Sequence, residues 1–234
     1  MERLSNTDLE HSPIVANSAM NRERACMGDN SYAKELAFNP VEFLKPRLCS
    51  QQHVAWLDLC CGTGRALIEA ARMLLPVRCE ADLRLVGVDL VAMFYAYPPE
   101  LDFLSLEETS VLKWEPNCSF DLITCVHGLH YVGNKLHLIE KAIAWLKDNG
   151  SFLAHLDPAN LKFEHGEAAG NKIISELRRH GLDYNKRRHL LYCQGRAEIH
   201  LEYEYLGADD RAGPNYTKQE AVDSYYRLLK DDAC

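Results

Sequence analysis

The chain has no run of apolar residues near the ~18 that a membrane span needs, and no basic-then-apolar leader at its N-terminus. A membrane protein and a secreted one are disfavoured, and a cytoplasmic location is expected. It also has no C-x-x-C pair, although it carries nine cysteines. An odd count without such pairs speaks against both a disulfide framework and a cysteine-built zinc site, so no metal is expected and all nine should be free thiols. Cys60, Cys61 and Cys125 fall in apolar runs and read as buried. Basic residues are in the minority: 26 Lys and Arg stand against 34 Asp and Glu, a net charge of −8. Affinity for a phosphate backbone comes mainly from clustered base, so a nucleic-acid partner is not expected, and a small-molecule substrate fits better. There are no repeats. With 234 residues, 47% of them hydrophobic and 26% charged, one folded domain with a sizeable core is expected.

The most informative stretch runs from Val54 to Leu67. Val54 to Cys60 is short and almost wholly apolar, as in a parallel strand buried on both faces. Asp58 interrupts it. A buried carboxylate is costly unless something donates hydrogen bonds to it, so its expected partner is a ligand or the loop's own amides. Gly62 and Gly64 form a Gly-x-Gly turn, and Leu67, Ala70, Ala71 and Leu74 then repeat with helical spacing up to Pro76. Strand, glycine turn and helix make a nucleotide-binding unit. Two versions of that unit fit poorly. A phosphate loop needs Lys followed by Ser or Thr after the second glycine, where this chain has Arg65 and Ala66. A dinucleotide fingerprint needs a third small residue, where it has Leu67.

An acid inside the strand suits a cationic cofactor. Asp58, Cys60, Gly62 and Gly64 resemble the first motif of class I S-adenosylmethionine (SAM)-dependent methyltransferases, acid-x-Gly-x-Gly-x-Gly, with Cys60 in place of the first glycine. A second acid, Asp89, follows Gly64 by 25 residues at the end of the apolar run Leu83 to Leu90. That is close to the ~20 at which an acid reaches a ribose in such units. The resemblance implies a Rossmann-like, doubly wound α/β fold with a seven-stranded sheet, mostly parallel with an antiparallel last strand. It implies SAM as cofactor, with Leu90 beside the ribose acid, Glu108 and Thr109 near the adenine after a third strand (Leu101 to Glu107), and Tyr32 covering the site from an N-terminal helix.

Phe120 to Val126 reads as a fourth strand, similar to the family's "FD-apolar" strand. Val126 should then offer backbone to the cofactor. His127 and His130 stand where sulfonium and acceptor would meet, and either can take a proton or serve as a structural hydrogen-bonder. Register within the family favours His130 over His127 as the catalytic group. The loop has no Asn/Asp-Pro-Pro-Tyr, which disfavours methylation of DNA bases or protein glutamine.

Residues 1–29 read as a flexible lead-in and 30–234 as a single domain. The expected elements beyond the fourth strand are a helix from Lys135 to Lys147, a strand from Ser151 to Asp157 and a helix from Glu167 to Arg179. His189 to Gln194 and Glu198 to Leu206 should supply the sixth and seventh strands, and Lys218 to Leu229 a last helix. After Asp89 the connection is short, and only a stunted helix is expected. Three functions remain: methyl transfer from SAM to O, N or C of a small molecule, a nicotinamide-dependent oxidoreductase, and a SAM-binding module without catalysis.

Overall fold

The computed structural model describes residues 3–16, 23–78 and 81–229. Four helices, α1 (Asn6–Glu10), α2 (Pro13–Ala16), α3 (Tyr32–Leu36) and α4 (Pro40–Ser50), precede β1 (His53–Leu59) and α5 (Arg65–Leu74). The chain continues through β2 (Asp82–Asp89), β3 (Leu104–Glu108), β4 (Phe120–Cys125), α6 (Lys135–Ala144) and β5 (Leu146–His155). It ends with β6 (Leu161–Phe163), α7 (Gly170–Arg179), β7 (Asp183–Asn185), β8 (Leu190–Gln194), β9 (Tyr203–Asp209) and β10 (Asp223–Leu228).

Seven strands form one sheet in the order β3-β2-β1-β4-β5-β8-β7, with β8 antiparallel to both neighbours and the other pairs parallel. This is the expected doubly wound fold. The alternation of a strand explains its two layers: Val54 and Trp56 pack with Leu44, Leu67 and Leu74 of α4 and α5, while Ala55, Leu57 and Leu59 pack with Ile139 and Ile143 of α6. Each such Leu or Ile buried contributes about 1.5–3 kcal/mol. The ends of α3 and α4 are set locally, since the Ser31 side chain accepts from the Lys34 amide and that of Asn39 from the amides of Val41 and Glu42.

The C-terminal third differs from expectation. The antiparallel strand is β8, and its outer partner is the three-residue β7, too short to show a period. The run expected as the seventh strand instead forms β9 in a separate sheet, β6-β10-β9. The expected last helix is β10, where Tyr225 and Tyr226 suit a strand and pairing with β9 and β6 decides the state. Helix α6 stops at Ala144, so Leu146 is buried as the first residue of β5. Residues 91–103 contain no helix at all, not even a stunted one. Among the described residues of the lead-in, Ser5 caps α1, which buries Leu9 against Tyr131, Ala208 and Val222, and Leu4 bridges to Ala208.

All seven described cysteines are free thiols, and Cys79 and Cys234 lie outside the described residues. Cys125 is wholly buried on β4 and Cys61 nearly so, whereas Cys60 is partly exposed and Cys49 open. Burial pushes the Cys26 thiol up to about 12. Thiol labelling of the native protein should therefore modify Cys49 first and leave Cys26 and Cys125 until unfolding. Fast labelling of Cys125 would show that β4 is not central.

Candidate functional site

Ligands of open α/β sheets bind beyond the carboxyl ends of the strands, and a cleft lined from the ends of β1, β2 and β4 lies there. Asp58 is buried behind it. Its protein partners are side chains and not loop amides: the Tyr32 hydroxyl donates to Oδ2 at 2.7 Å and the Thr124 hydroxyl to Oδ1 at 2.6 Å, with the Trp56 indole N–H donating in turn to Thr124. Burial pushes the Asp58 carboxyl up to about 7, against these hydrogen bonds and with help from the neighbouring charge of Asp89. Tyr32 thus joins α3 to the end of β1 and lines the cleft.

The turn after β1 is tight. Cys60 adopts a left-handed conformation, φ 60°, as a glycine in its place would. Gly128 accommodates the extra side chain, since a Cβ there would stand 2.4 Å from that of Cys60. Gly64 starts α5 with φ 72° behind the cleft, and a Cβ on it would meet Leu106 at 2.5 Å. Asp89 closes the turn: its Oδ2 accepts from the Gly62 amide at 2.8 Å and its Oδ1 from the Val91 amide at 3.1 Å. Cys60, Gly62, Asp89, Leu90 and Val126 all line the cleft. Glu108 does not. It ends β3 in solvent, Thr109 gives its amide to the Asp89 carbonyl, and Ser110, Val111 and Leu112 form the wall one residue later. The unexpected roof is the lead-in: Leu9, Glu10 and Val15 line the cleft, and Glu10 receives hydrogen bonds from the Ser110 hydroxyl and from Lys113.

At the other end His127, also left-handed at φ 60°, lines the cleft. His130, expected to face the acceptor, lies behind it, 1% exposed and outside the lining. The tight helical turn Gly128–Tyr131 swings its ring inward, to where its Nε2 faces His127 Nδ1 at 3.5 Å. His127 Nε2 is 3.2 Å from Glu35 Oε2, and its ring stacks on that of His155 with centroids 4.1 Å apart. Tyr216 brings its hydroxyl to 3.4 Å from His127 Nδ1, stacks on His189 and gives its amide to Asp157.

Burial lowers all three imidazoles, His155 to about 3, His130 well below the usual histidine range and His127 below it in spite of Glu35. They are neutral at physiological pH. The hydrogen bond from His127, with Arg24 assisting, holds Glu35 ionised. Glu35 was legible in principle, three residues after Tyr32 on one helix face. Tyr216, in a loop rich in Gly, Asp and Pro, carried no signal.

No helix among the described residues is long and apolar enough to cross a membrane. A family model described as "methyltransferase domain" matches residues 30–196. No curated protein matches the chain. Among solved structures it is similar to the plantazolicin methyltransferase BpumL, solved with S-adenosylhomocysteine and a desmethyl analogue, at 16% identity over 53% of this chain and 48% of that one, TM-score 0.39. It is similar also to YjhP from E. coli, at 15% identity over 74% of this chain and 72% of that one, TM-score 0.42. A third is coclaurine N-methyltransferase bound to N-methylheliamine and S-adenosylhomocysteine, at 18% identity over 56% and 38%, TM-score 0.39. The match thus spans about half the length of BpumL and less of the coclaurine enzyme. With the family model covering well over half of its residues, the chain belongs to the methyltransferase-domain family.

Proposed function

We propose that this protein transfers the methyl group of SAM to a small-molecule acceptor. When bound, the sulfonium supplies an electrophilic methyl: a lone pair of the acceptor attacks the carbon, the S–CH3 bond breaks, and sulfur keeps the electron pair. In-line displacement of this kind depends chiefly on alignment, which a cleft beyond the carboxyl ends of the strands provides. The carrying observation is the Asp89 carboxylate held on the Gly62 and Val91 amides at the cleft wall. A carboxylate has two oxygens, each able to accept more than one hydrogen bond, which suits the two adjacent hydroxyls of a ribose. Asp58, whose carboxyl titrates at about 7, adds part of a negative charge one side chain behind, where a cation is favoured over a pyrophosphate. The histidine end of the cleft is the acceptor side, where His127 orients the acceptor.

The roof of α1 and α2 supports a small acceptor rather than nucleic acid or a membrane, and buried free thiols fit the reducing cytoplasm. Titration calorimetry with SAM, S-adenosylhomocysteine and NAD tests the cofactor: the first two should bind and NAD should not. Asp89→Ala should weaken SAM binding by about 1.5–3 kcal/mol, the usual cost of losing hydrogen bonds to a charged group. Wild-type affinity in that variant would remove the ribose assignment. Release of S-adenosylhomocysteine across a metabolite library would distinguish an enzyme from a binding module.

A further inference from the structure

Glu35, His127 and His155 come from three separate elements, α3, the loop after β4 and the end of β5, yet their ligand atoms all lie within 4.8 Å of one another. We propose that these three residues bind a divalent transition-metal ion, with its open positions on the acceptor side of the cleft. The proposal deepens the methyl-transfer reading and rests on it only for what the ion would hold. Two ligand atoms ~2.1 Å from one ion stand roughly 3.0 Å apart in octahedral and 3.4 Å apart in tetrahedral geometry. Glu35 Oε2 and His127 Nε2, at 3.2 Å, fall between these values. The ring of His155, stacked on His127, must turn to bring its nitrogen into the same shell. It is free to do so on one side, because its Nδ1 is buried without a hydrogen-bond partner.

The surroundings match those of a ligating histidine. Such a residue gives its second ring N–H to an acceptor, which fixes the lone pair on the metal-facing nitrogen. His127 Nδ1 has two candidates, His130 Nε2 at 3.5 Å and the Tyr216 hydroxyl at 3.4 Å. Arg24 sits 3.5 Å from the other carboxylate oxygen, Oε1, and so orients Glu35 with Oε2 toward the histidines. Two imidazoles and one carboxylate select zinc, cobalt, iron or manganese over magnesium and calcium, which prefer oxygen shells. Three protein ligands leave positions for an oxygen of the acceptor, a hydroxyl or carboxylate, beside the methyl donor. The absence of C-x-x-C bears only on cysteine-built sites.

The test uses the full chain with Co(II) and Zn(II) as probes. Calorimetry should give one site per protein, and Co(II) should show d–d bands without a thiolate charge-transfer band. Glu35→Gln and His155→Ala should each weaken binding at least tenfold, as should His155→Gln, while SAM affinity and the unfolding midpoint stay near wild type. Wild-type metal affinity in both the Glu35 and His155 variants, a thiolate band, or no binding to the wild type would overturn the proposal. SAM binding is read in the same samples, so a failed cofactor assignment shows separately from a failed metal site.

Discussion

Replacing His127 with alanine should lower turnover about 10²–10⁴-fold with little change in SAM affinity, the loss expected when a group acting on the acceptor is removed. The residue lines the cleft, touches Glu35 through Nε2 and stacks on His155, so truncation empties the acceptor end of its central polar group. His130→Ala should be milder. Its imidazole lies behind His127 and outside the cleft lining, and its backbone carbonyl, which accepts from the Val222 amide, survives the substitution. Steady-state kinetics on the first acceptor identified, together with SAM titration of both variants, separates the two. A larger loss of turnover in His130→Ala would restore the order that register alone suggests. Matching losses of SAM affinity in His127→Ala would make it a cofactor wall rather than an acceptor group.

The placement of His130 behind the cleft shows where sequence reasoning reached its limit. Period-2 and period-3.6 patterns place residues on faces, so β1, α5 and β4 were legible from Val54 to Leu74 and Phe120 to Val126, and the fold class followed from the family resemblance of the motifs these elements carry. The glycine turn and Asp89 were legible because backbone geometry restricts which residues can stand there. The direction of a side chain within a non-repeating turn follows from its dihedral angles, and nothing in His127-Gly-Leu-His130 announced the left-handed His127. Glu35, His155 and Tyr216 are brought together by tertiary packing from positions up to 181 residues apart, a juxtaposition without local signature. The same holds for β10: the Tyr pair allowed a strand, but its partners lie in β6 and β9, distant in sequence. The lead-in was read as flexible for want of periodicity; in its described part α1 is a short capped helix, and Leu9 and Val15 find their partners in Tyr131, Ala208 and Val222, which no local pattern announces.

Lys135→Met should destabilise the fold by on the order of 3 kcal/mol near pH 9, and by less near pH 6. Lys135 is wholly buried at the start of α6, and its ammonium nitrogen donates to the carbonyls of Val132 and Val222 at 2.9 Å each and to the Ser224 hydroxyl at 2.6 Å. These bonds fasten β10 and the small sheet to the main body, next to the amide that holds the His130 carbonyl. Methionine keeps the length of the side chain but has no N–H: the neutral amine present near pH 9 donates two hydrogen bonds, so the buried carbonyls of Val132 and Val222 lose their donors, each a cost of about 1–3 kcal/mol. The pH dependence follows from the amine. Burial pulls it from 10.5 down to about 7, with the charges of Asp223 and Asp157 opposing. A lowered pKa means that the folded state holds fewer protons than the unfolded one between about 7 and 10.5, so stability rises with pH across that window. Below about 7 both states are protonated and the full cost of burying the ammonium is borne. The methionine variant has no such group, so its deficit against wild type should widen from pH 6 to pH 9 in urea unfolding. A deficit that stays constant with pH would mean that the amine keeps its proton throughout, and no deficit at all would mean that the small sheet is held by its apolar contacts alone.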